Sequence, residues 1–363
     1  MQAAMPATSQ LLKTAVKYGV LLLGALLIAG LPGLATVLLL AAIRRFSLAP
    51  DSHAKHGISH QQASRLGGLG IVLCAVGVYF AARGIPQVAN ATNPNNLFSP
   101  LAFALMVGLV GLVEDLHGAL SPQLRLGLMA AILATALLVH PGLVPSGAGI
   151  PGLDFLLQYH WLAFALALVA ALGAINAMNI ADGANGLMPV VFACTLLAYV
   201  AISGRIEYYA LFLALLVFVL YNLVSGKLFL GDAGSYGLGA AVVIGALELL
   251  GQGLVSPFFL LCLLAYPAIE IFYSSARRMR AGQHPMQPDN FHLHNLLYAK
   301  IKQSGCGSIL ANGGTGLCIS LPTAGASVAL LFVLSPTSQW WLALFLAYVA
   351  TYLIIYPRLK PHD

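Results

Sequence analysis

Long apolar runs recur along the whole of this chain, and they limit what it can fold into. Only 8% of its 363 residues are charged, whereas 60% are hydrophobic. A soluble chain has about 25% charged residues, so the few Asp, Glu, Lys and Arg side chains here cannot cover a soluble fold of this length. The high apolar content also excludes a disordered chain. The composition therefore excludes a soluble globular enzyme and predicts an all-α, polytopic membrane protein.

About 20 consecutive apolar residues are needed to cross a bilayer, and on that basis the sequence predicts about 11 spans. The first run follows Lys13 and Lys17 and is too long for the core of a signal peptide. No tandem repeat or separate soluble domain is visible, so we interpret residues 1–363 as one integral-membrane domain. The predicted spans lie near residues 18–43, 66–82, 97–113, 124–140, 160–178, 186–203, 207–225, 236–251, 255–275, 316–335 and 339–356.

The positive charges indicate which loops face the cytoplasm, because basic residues are retained on that side. One set of alternating loops contains only four of the 17 Lys and Arg residues, namely Lys13, Lys17, Arg83 and Arg205. We therefore predict a periplasmic N-terminus and a cytoplasmic C-terminus, with cytoplasmic loops near 44–65, 114–124, 179–186, 226–235 and 276–315. The basic residues thus indicate topology, and no nucleic-acid partner is predicted.

Four acidic motifs from separate loops fall on the predicted cytoplasmic side or at the cytoplasmic ends of spans, and carboxylates at membrane ends are costly and usually functional. Carboxylates that converge repel one another unless a cation lies between them, and oxygen-rich, cysteine-free ligands favour Mg²⁺, with Mn²⁺ as the alternative. Since Mg²⁺ commonly joins carboxylates to phosphates, we expect a phosphate or diphosphate substrate at the inner leaflet. The motifs are Glu114-Asp115-Leu-His117, Asn176-Ala-Met-Asn179-Ile-Ala-Asp182-Gly-Ala-Asn185-Gly, Gly231-Asp232-Ala-Gly-Ser235 and Asp289-Asn-Phe-His292-Leu-His294.

The spacing of Asn176, Asn179 and Asp182 places the first two on one helix face, and Asp182 joins them only if the helix ends nearby. Gly183 is a plausible end signal. Each motif has a structural alternative: Asp232 could be a charge that stabilises a helix N-terminus, and the asparagines could be polar packing between helices. The intramembrane Glu248 and Glu270 are interpreted as structural partners.

Together these motifs resemble the polyprenyl-phosphate N-acetylhexosamine-1-phosphate transferases, the WecA and MraY enzymes of bacterial glycosyltransferase family 4. The resemblance extends from His56 to His294 and includes Arg65-x-Gly-Gly. The proline that usually precedes this arginine is absent, and two further departures from the family pattern matter more. Glu114-Asp115 replaces the usual Asp-Asp, and the histidine motif lacks the family's arginine and last histidine. The absence of a three-histidine run favours the WecA-like branch over the peptidoglycan-precursor branch.

The resemblance implies a reaction in which undecaprenyl phosphate attacks the β-phosphorus of a UDP-sugar, giving undecaprenyl-diphosphate-sugar and UMP. It implies an Mg²⁺-dependent enzyme of the bacterial inner membrane whose active site faces the cytoplasm and whose product starts a surface polysaccharide such as O-antigen. The sugar, expected to be an N-acetylhexosamine, is not fixed by the motifs. The implied catalytic residues are Glu114, Asp115 and Asp232; the metal ligands are Asp232, Asp115 and Asp182; the substrate-binding residues are Asn176, Asn179, Asp182, Asn185, Arg65, Arg125, His292 and His294.

Two other functions fit parts of the pattern. A transporter or lipid flippase for a phosphorylated substrate would also contain charges within broken helices, but it predicts charges at the bilayer midplane and two similar halves. An inactive relative is suggested by the two altered motifs. The membrane lipid is a partner in each case, and a homodimer is one assembly that the sequence allows.

Overall fold

The computed structural model describes residues 5–45, 63–84, 99–285 and 287–360, with only the backbone described for 5–18 and 43–45. Lys55, His56 and His60 lie outside the described residues. The described part is almost entirely helical, and its only β-type pairing is one parallel bridge between Ser64 and Leu228. The prediction of an all-α chain is therefore confirmed for this part.

The described residues form fifteen α-helices, one 3₁₀ turn at Pro141–Leu143 and one π-helical turn at Leu321–Gly325. The helices are α1 Met5–Arg45, α2 Gly67–Arg83, α3 Leu101–His117, α4 Pro122–Val139, α5 Pro151–Leu157, α6 His160–Ala181, α7 Leu187–Ser203, α8 Ile206–Ser225, α9 Gly231–Gly251, α10 Pro257–Leu263, α11 Ala265–Arg280, α12 Leu293–Gln303, α13 Ser308–Ser320, α14 Ala326–Leu331 and α15 Trp340–Leu359.

By length and composition, seven helical segments of the described chain are candidate membrane spans, and an eighth is added if α10 and α11, bent by 84°, are one broken span. Three more of the predicted spans coincide with the 17-residue helices α2, α3 and α7. The structure thus agrees with a polytopic helical membrane protein, while the number of spans and their orientation stay predictions.

Two helix boundaries differ from the prediction in ways that matter for the site. Helix α9 begins at Gly231 rather than near 236, because the Asp115 carboxylate from α3 accepts hydrogen bonds from its first free amides. The loop predicted at 276–315 contains α12 and the start of α13. His294 therefore lies in the first turn of a helix.

Helix α9 is the most buried of the candidate spans and lies between α2, α3, α6 and α7. Its N-terminal end packs closely on α3 because Gly111 has no side chain: a Cβ there would overlap the backbone of Asp232. Gly118 then ends α3 in a left-handed conformation at φ 61°. These contacts fix the end of α3 and the beginning of α9 side by side.

Candidate active site

The centre of the candidate site is the Asp232 carboxylate, in the first turn of α9. It accepts hydrogen bonds from Arg125 Nη1 at 3.0 Å and Asn179 Nδ2 at 3.2 Å. Arg65 Nη2 lies 3.6 Å away on the Oδ1 side. The Asp232 side chain remains 12% exposed, so a ligand can reach it. The structure thus brings together four residues that the sequence predicts for the site, from four separate elements.

Asp115 holds the beginning of α9. Its two carboxylate oxygens accept hydrogen bonds from the backbone amides of Asp232 at 3.0 Å and Ala233 at 2.8 Å, and Arg65 Nε lies 3.5 Å away. Burial raises the pKa of the Asp115 carboxyl to about 6, against the opposing effect of the two amides. This side chain has no exposed surface. The geometry gives it a helix-capping role, and its ligation of a metal stays a prediction.

Glu114 closes the neighbouring turn. Its Oε2 accepts a hydrogen bond from the Leu120 amide at 3.0 Å, and its Oε1 lies 3.7 Å from Arg125 Nη1. Arg125 therefore lies between Glu114 and Asp232, and its buried Nε has no hydrogen-bond partner among the residues that the structure describes. A buried donor without a partner is costly, so an additional acceptor at this point would stabilise the site.

Asp182 follows the last residue of α6 and lies near the same carboxylates. Desolvation first, and then the negative charges of Asp232 and Asp115, raise the pKa of Asp182 to about 7, while Arg65 opposes the rise. Its carboxylate accepts no hydrogen bond from the described residues. A cation would relieve this repulsion and keep Asp182 ionised at neutral pH.

The three predicted asparagines have different surroundings. Asn179 faces the site and donates from Nδ2 to Ser235 Oγ at 2.6 Å as well as to Asp232. Asn176 instead donates to the Leu172 carbonyl one turn back in its own helix, at 2.8 Å. Asn185 is buried among other helices, where its side chain accepts a hydrogen bond from Asn222. Only Asn179 is therefore in contact with the carboxylate centre in this structure.

His294 joins the histidine motif to the Asp182 turn. Its Nε2 lies against Gly183, where even a Cβ would overlap the ring, and its Nδ1 forms a 2.6 Å hydrogen bond with the Tyr266 hydroxyl. The ring stacks on that of His292, with centroids 5.5 Å apart. Burial lowers the pKa of His294 to about 4, so the ring is neutral at pH 7.

His292 stacks against the His294 ring and contacts Glu270. Its Nδ1 is 2.9 Å from Glu270 Oε1, and Arg278 Nη2 is 3.4 Å from its Nε2. Glu270 is 1% exposed and has protein partners on both oxygens, which is the structural position that the sequence predicts for it.

Asp289 fixes the segment that precedes His292. It accepts hydrogen bonds from Arg277 Nη2 at 3.0 Å and Arg278 Nε at 2.6 Å. Burial would raise the pKa of Asp289, but the hydrogen bonds from Arg278, the Phe291 amide and Arg277 outweigh it and hold the pKa at about 2. Two arginines of α11 thus anchor the histidine segment.

Sequence reasoning missed Asn222, a buried residue that joins two loops of the site. Its Oδ1 accepts a hydrogen bond from the Gly186 amide at 2.7 Å, and its Nδ2 donates to the Leu228 carbonyl at 2.7 Å. The available signal was a polar side chain inside the apolar run of α8. Tyr266 was also missed as the partner of His294, because a tyrosine near a span end is common. Ser235 belongs to a motif found in the sequence, but its contact with Asn179 is set by the packing.

Glu248 belongs to a separate cluster at the far end of α9. It accepts hydrogen bonds from Arg205 and from the Tyr208 hydroxyl. Sixteen residues of helix separate it from Asp232, which is about 24 Å at 1.5 Å per residue. The Glu248 cluster is therefore remote from the candidate site.

The carboxylate oxygens around Asp232 are ligands of the kind that a divalent cation prefers, although no group of three or more His, Cys, Asp or Glu surrounds a common point among the described residues. Asp232 and Asp182 provide carboxylate oxygens, and Mg²⁺ is usually bound through one or two carboxylates together with phosphates and water. Oxygens without thiolates favour Mg²⁺ or Mn²⁺ over softer metals.

Comparison with known proteins supports the resemblance found in the sequence. The family model described as glycosyl transferase family 4 matches residues 97–250, which include Glu114, Asp182 and Asp232. Relatives include decaprenyl-phosphate N-acetylglucosaminephosphotransferase of Mycobacterium tuberculosis, 27% identical over 264 residues, 64% of this chain and 65% of the relative. An undecaprenyl-phosphate alpha-N-acetylglucosaminyl 1-phosphate transferase of Thermotoga maritima is 27% identical over 255 residues, 69% of this chain and 72% of the relative.

The other branch of the family matches as well. A phospho-N-acetylmuramoyl-pentapeptide-transferase of Shouchella clausii is 32% identical over 200 residues, 51% of this chain and 61% of the relative. The chain thus spans less than two thirds of the length of this relative and of the mycobacterial one. Since both branches match, the preference for the WecA-like branch stays a prediction.

Proposed function

Because residues 97–250 match the glycosyl transferase family 4 model, we propose that the chain transfers a sugar-1-phosphate from a UDP-sugar to undecaprenyl phosphate. The sugar is an N-acetylhexosamine, as the names of the two N-acetylglucosamine relatives suggest. The proposal is carried by one observation: Asp232 meets Arg125, Arg65 and Asn179 from separate elements, beside Asp182.

In the proposed reaction, an oxygen of undecaprenyl phosphate attacks the β-phosphorus of the UDP-sugar. A new P–O bond forms, the bond between the two phosphates of the donor breaks, and UMP leaves. The acceptor is mostly a dianion at pH 7, since the second pKa of a phosphate monoester is about 6. No strong general base is therefore required, and positioning and charge neutralisation dominate, as in other phosphoryl transfers.

The residues of the site divide between these tasks. Arg65 and Arg125 bind phosphate oxygens through charge-assisted hydrogen bonds, and the buried Nε of Arg125 gains its missing acceptor. Asp232 and Asp182 hold Mg²⁺, which neutralises negative charge on the diphosphate. Neutral His294, with its Nδ1 on Tyr266, presents Nε2 beside the Asp182 turn for the donor.

The proposed setting is the bacterial inner membrane, with the site on the cytoplasmic side. The side assignment is supported by the distribution of basic residues. The site residues lie at one end of the helices, and the Glu248 cluster lies at the other end of α9. The lipid product would begin a surface polysaccharide such as O-antigen.

The test is a transfer assay with purified chain, radiolabelled UDP-N-acetylhexosamine, Mg²⁺ and undecaprenyl phosphate. Labelled sugar is expected in a butanol-extractable lipid, and UMP is expected to be released. UMP added in excess is expected to inhibit the transfer. A panel of UDP-sugars with mass spectrometry of the lipid then identifies the sugar. Solute accumulation in proteoliposomes without labelled lipid would overturn the proposal in favour of a transporter.

A further inference from the structure

The C-terminal helix α15 contains two buried tyrosines one turn apart. Among the described residues of this helix, only Trp341, Tyr352 and Tyr356 are buried. The rings of Tyr352 and Tyr356 stack with centroids 5.8 Å apart, and both contact Tyr273 of α11, at 5.1 Å and 4.5 Å. The two tyrosines thus attach the C-terminal part of α15 to α11.

Both hydroxyls point away from α15, toward the histidine segment. Tyr352 donates to Glu270 Oε2 at 2.8 Å, and Tyr356 donates to the backbone carbonyl of Phe291 at 2.7 Å. A buried tyrosine hydroxyl needs a hydrogen-bond partner, but that partner need not belong to the candidate site. Tyr348, on the same helix, donates instead to the Thr323 carbonyl in the π-helical turn at 3.1 Å.

Glu270 links Tyr352 to His292 and to the residue that follows it. Its Oε1 meets His292 Nδ1 at 2.9 Å, and its Oε2 also accepts a hydrogen bond from the Leu293 amide at 3.2 Å. That amide is among the first of α12, the helix whose first turn contains His294. Glu270 therefore fixes the start of α12, and Tyr352 fixes the carboxylate of Glu270.

We propose that Tyr352 and Tyr356 are positioning residues, through which α15 holds the His292–His294 segment in register with the Asp182 turn. The inference rests on the proposed function, because the segment held in place is the proposed donor contact. All the elements involved except the Asp182 turn lie beyond the residues that the family model matches. This attachment therefore adds a specificity-determining part to the site from the last helix of the chain.

The experiment compares Tyr352→Phe and Tyr356→Phe with Tyr348→Phe, a matched control on the same helix. Hydrogen–deuterium exchange of peptides covering 287–296 is measured on the full chain in detergent, together with steady-state kinetics. The first two variants are expected to exchange faster in this segment. Their KM for the UDP-sugar is expected to rise roughly tenfold, as for one lost buried hydrogen bond. Their KM for undecaprenyl phosphate is expected to stay within about twofold of the wild-type value. The control is expected to match the wild type.

Unchanged exchange of 287–296 in both variants would overturn the inference, and so would faster exchange in all three variants. Equal rises in KM for both substrates would also overturn it, because a general loosening of the fold affects both. A wild type without transferase activity would instead refute the proposed function, and the exchange measurement would still decide whether the tyrosines hold the segment.

Discussion

The Asp115 carboxylate caps the helix that carries Asp232: its Oδ1 accepts a hydrogen bond from the Asp232 backbone amide at 3.0 Å. Its Oδ2 accepts the next amide, that of Ala233, at 2.8 Å. Two acidic residues that the sequence assigns to one metal site therefore have different environments. Asp115 is enclosed, whereas the Asp232 side chain retains exposed surface.

This difference predicts that Asp115→Asn destabilises the fold more than Asp232→Asn. An asparagine at 115 has one acceptor oxygen for two amides and turns an NH₂ donor toward one of them. We expect a loss of about 1–2 kcal/mol in the free energy of unfolding, as for a lost N-cap. Asp232→Asn is expected to cost less than this, because it keeps a side-chain oxygen for Arg125 or Asn179 and relieves the repulsion with Asp182 and Asp115, and yet to abolish transfer. Thermal unfolding in detergent compares the two, and equal melting temperatures would contradict the assignment.

The contact between Gly183 and His294 gives a second prediction. A methyl group at Gly183 would overlap the His294 ring, which is buried and cannot move aside freely. We expect Gly183→Ala to displace His294 and to lower transfer at least tenfold, which corresponds to about 1.4 kcal/mol of lost transition-state stabilisation. The measurement is the initial rate with both substrates at fixed concentration.

Gly173→Ala is the control for that variant, because position 173 lies in α6, the helix that leads into the Asp182–Gly183 turn, and a Cβ there meets nothing within 4 Å. Its rate is expected to stay within about twofold of the wild type, since replacing glycine by alanine in a helix interior is favourable. Similar losses of activity in both variants would show that α6, rather than the His294 contact, is responsible.

The sequence predicts the parts of this molecule that depend on local pattern. Apolar runs locate the helices, and Asn179, Asp182 and Asp232 are found from short motifs because glycines and carboxylates at span ends are unusual. Partners far apart in the chain are not predictable in this way. Asn222 and Tyr352 are polar groups within apolar helices, and only the packing determines which partners their hydrogen bonds reach. For the same reason Asn176 and Asn185, which share a motif with Asn179, have separate partners.

Removal of the metal should affect stability through Asp232. If Asp232 holds Mg²⁺, saturating Mg²⁺ raises the free energy of unfolding over that in EDTA, by about 2.7 kcal/mol at a hundredfold excess over Kd. We expect Asp232→Asn to lose most of this increase. Glu248→Gln, which removes a carboxylate at the other end of α9, should retain it. The measurement is the melting temperature with EDTA and with Mg²⁺, and an Mg²⁺ effect that survives in Asp232→Asn would refute the ligand assignment.

His294 predicts how stability depends on pH. Burial lowers the pKa of its imidazole from an ordinary value of 6.5 to about 4; His292 adds to the fall and Glu270 opposes it. Between pH 4 and 6.5 the unfolded chain therefore binds more protons at this position than the folded chain does. Stability must fall as the pH decreases through this window, because protonation favours the unfolded state.

The replacement His294→Gln removes the titrating imidazole. It should therefore lower the slope of the free energy of unfolding against pH by up to about 1.4 kcal/mol per pH unit. Unfolding measured between pH 4 and 7 for the two proteins tests this, with Gly173→Ala expected to follow the wild type throughout. An identical slope in His294→Gln would mean that the imidazole is not held neutral by burial. A neutral ring matters for the proposed reaction, because an imidazolium beside Asp182 would pair with the carboxylate that is assigned to the metal.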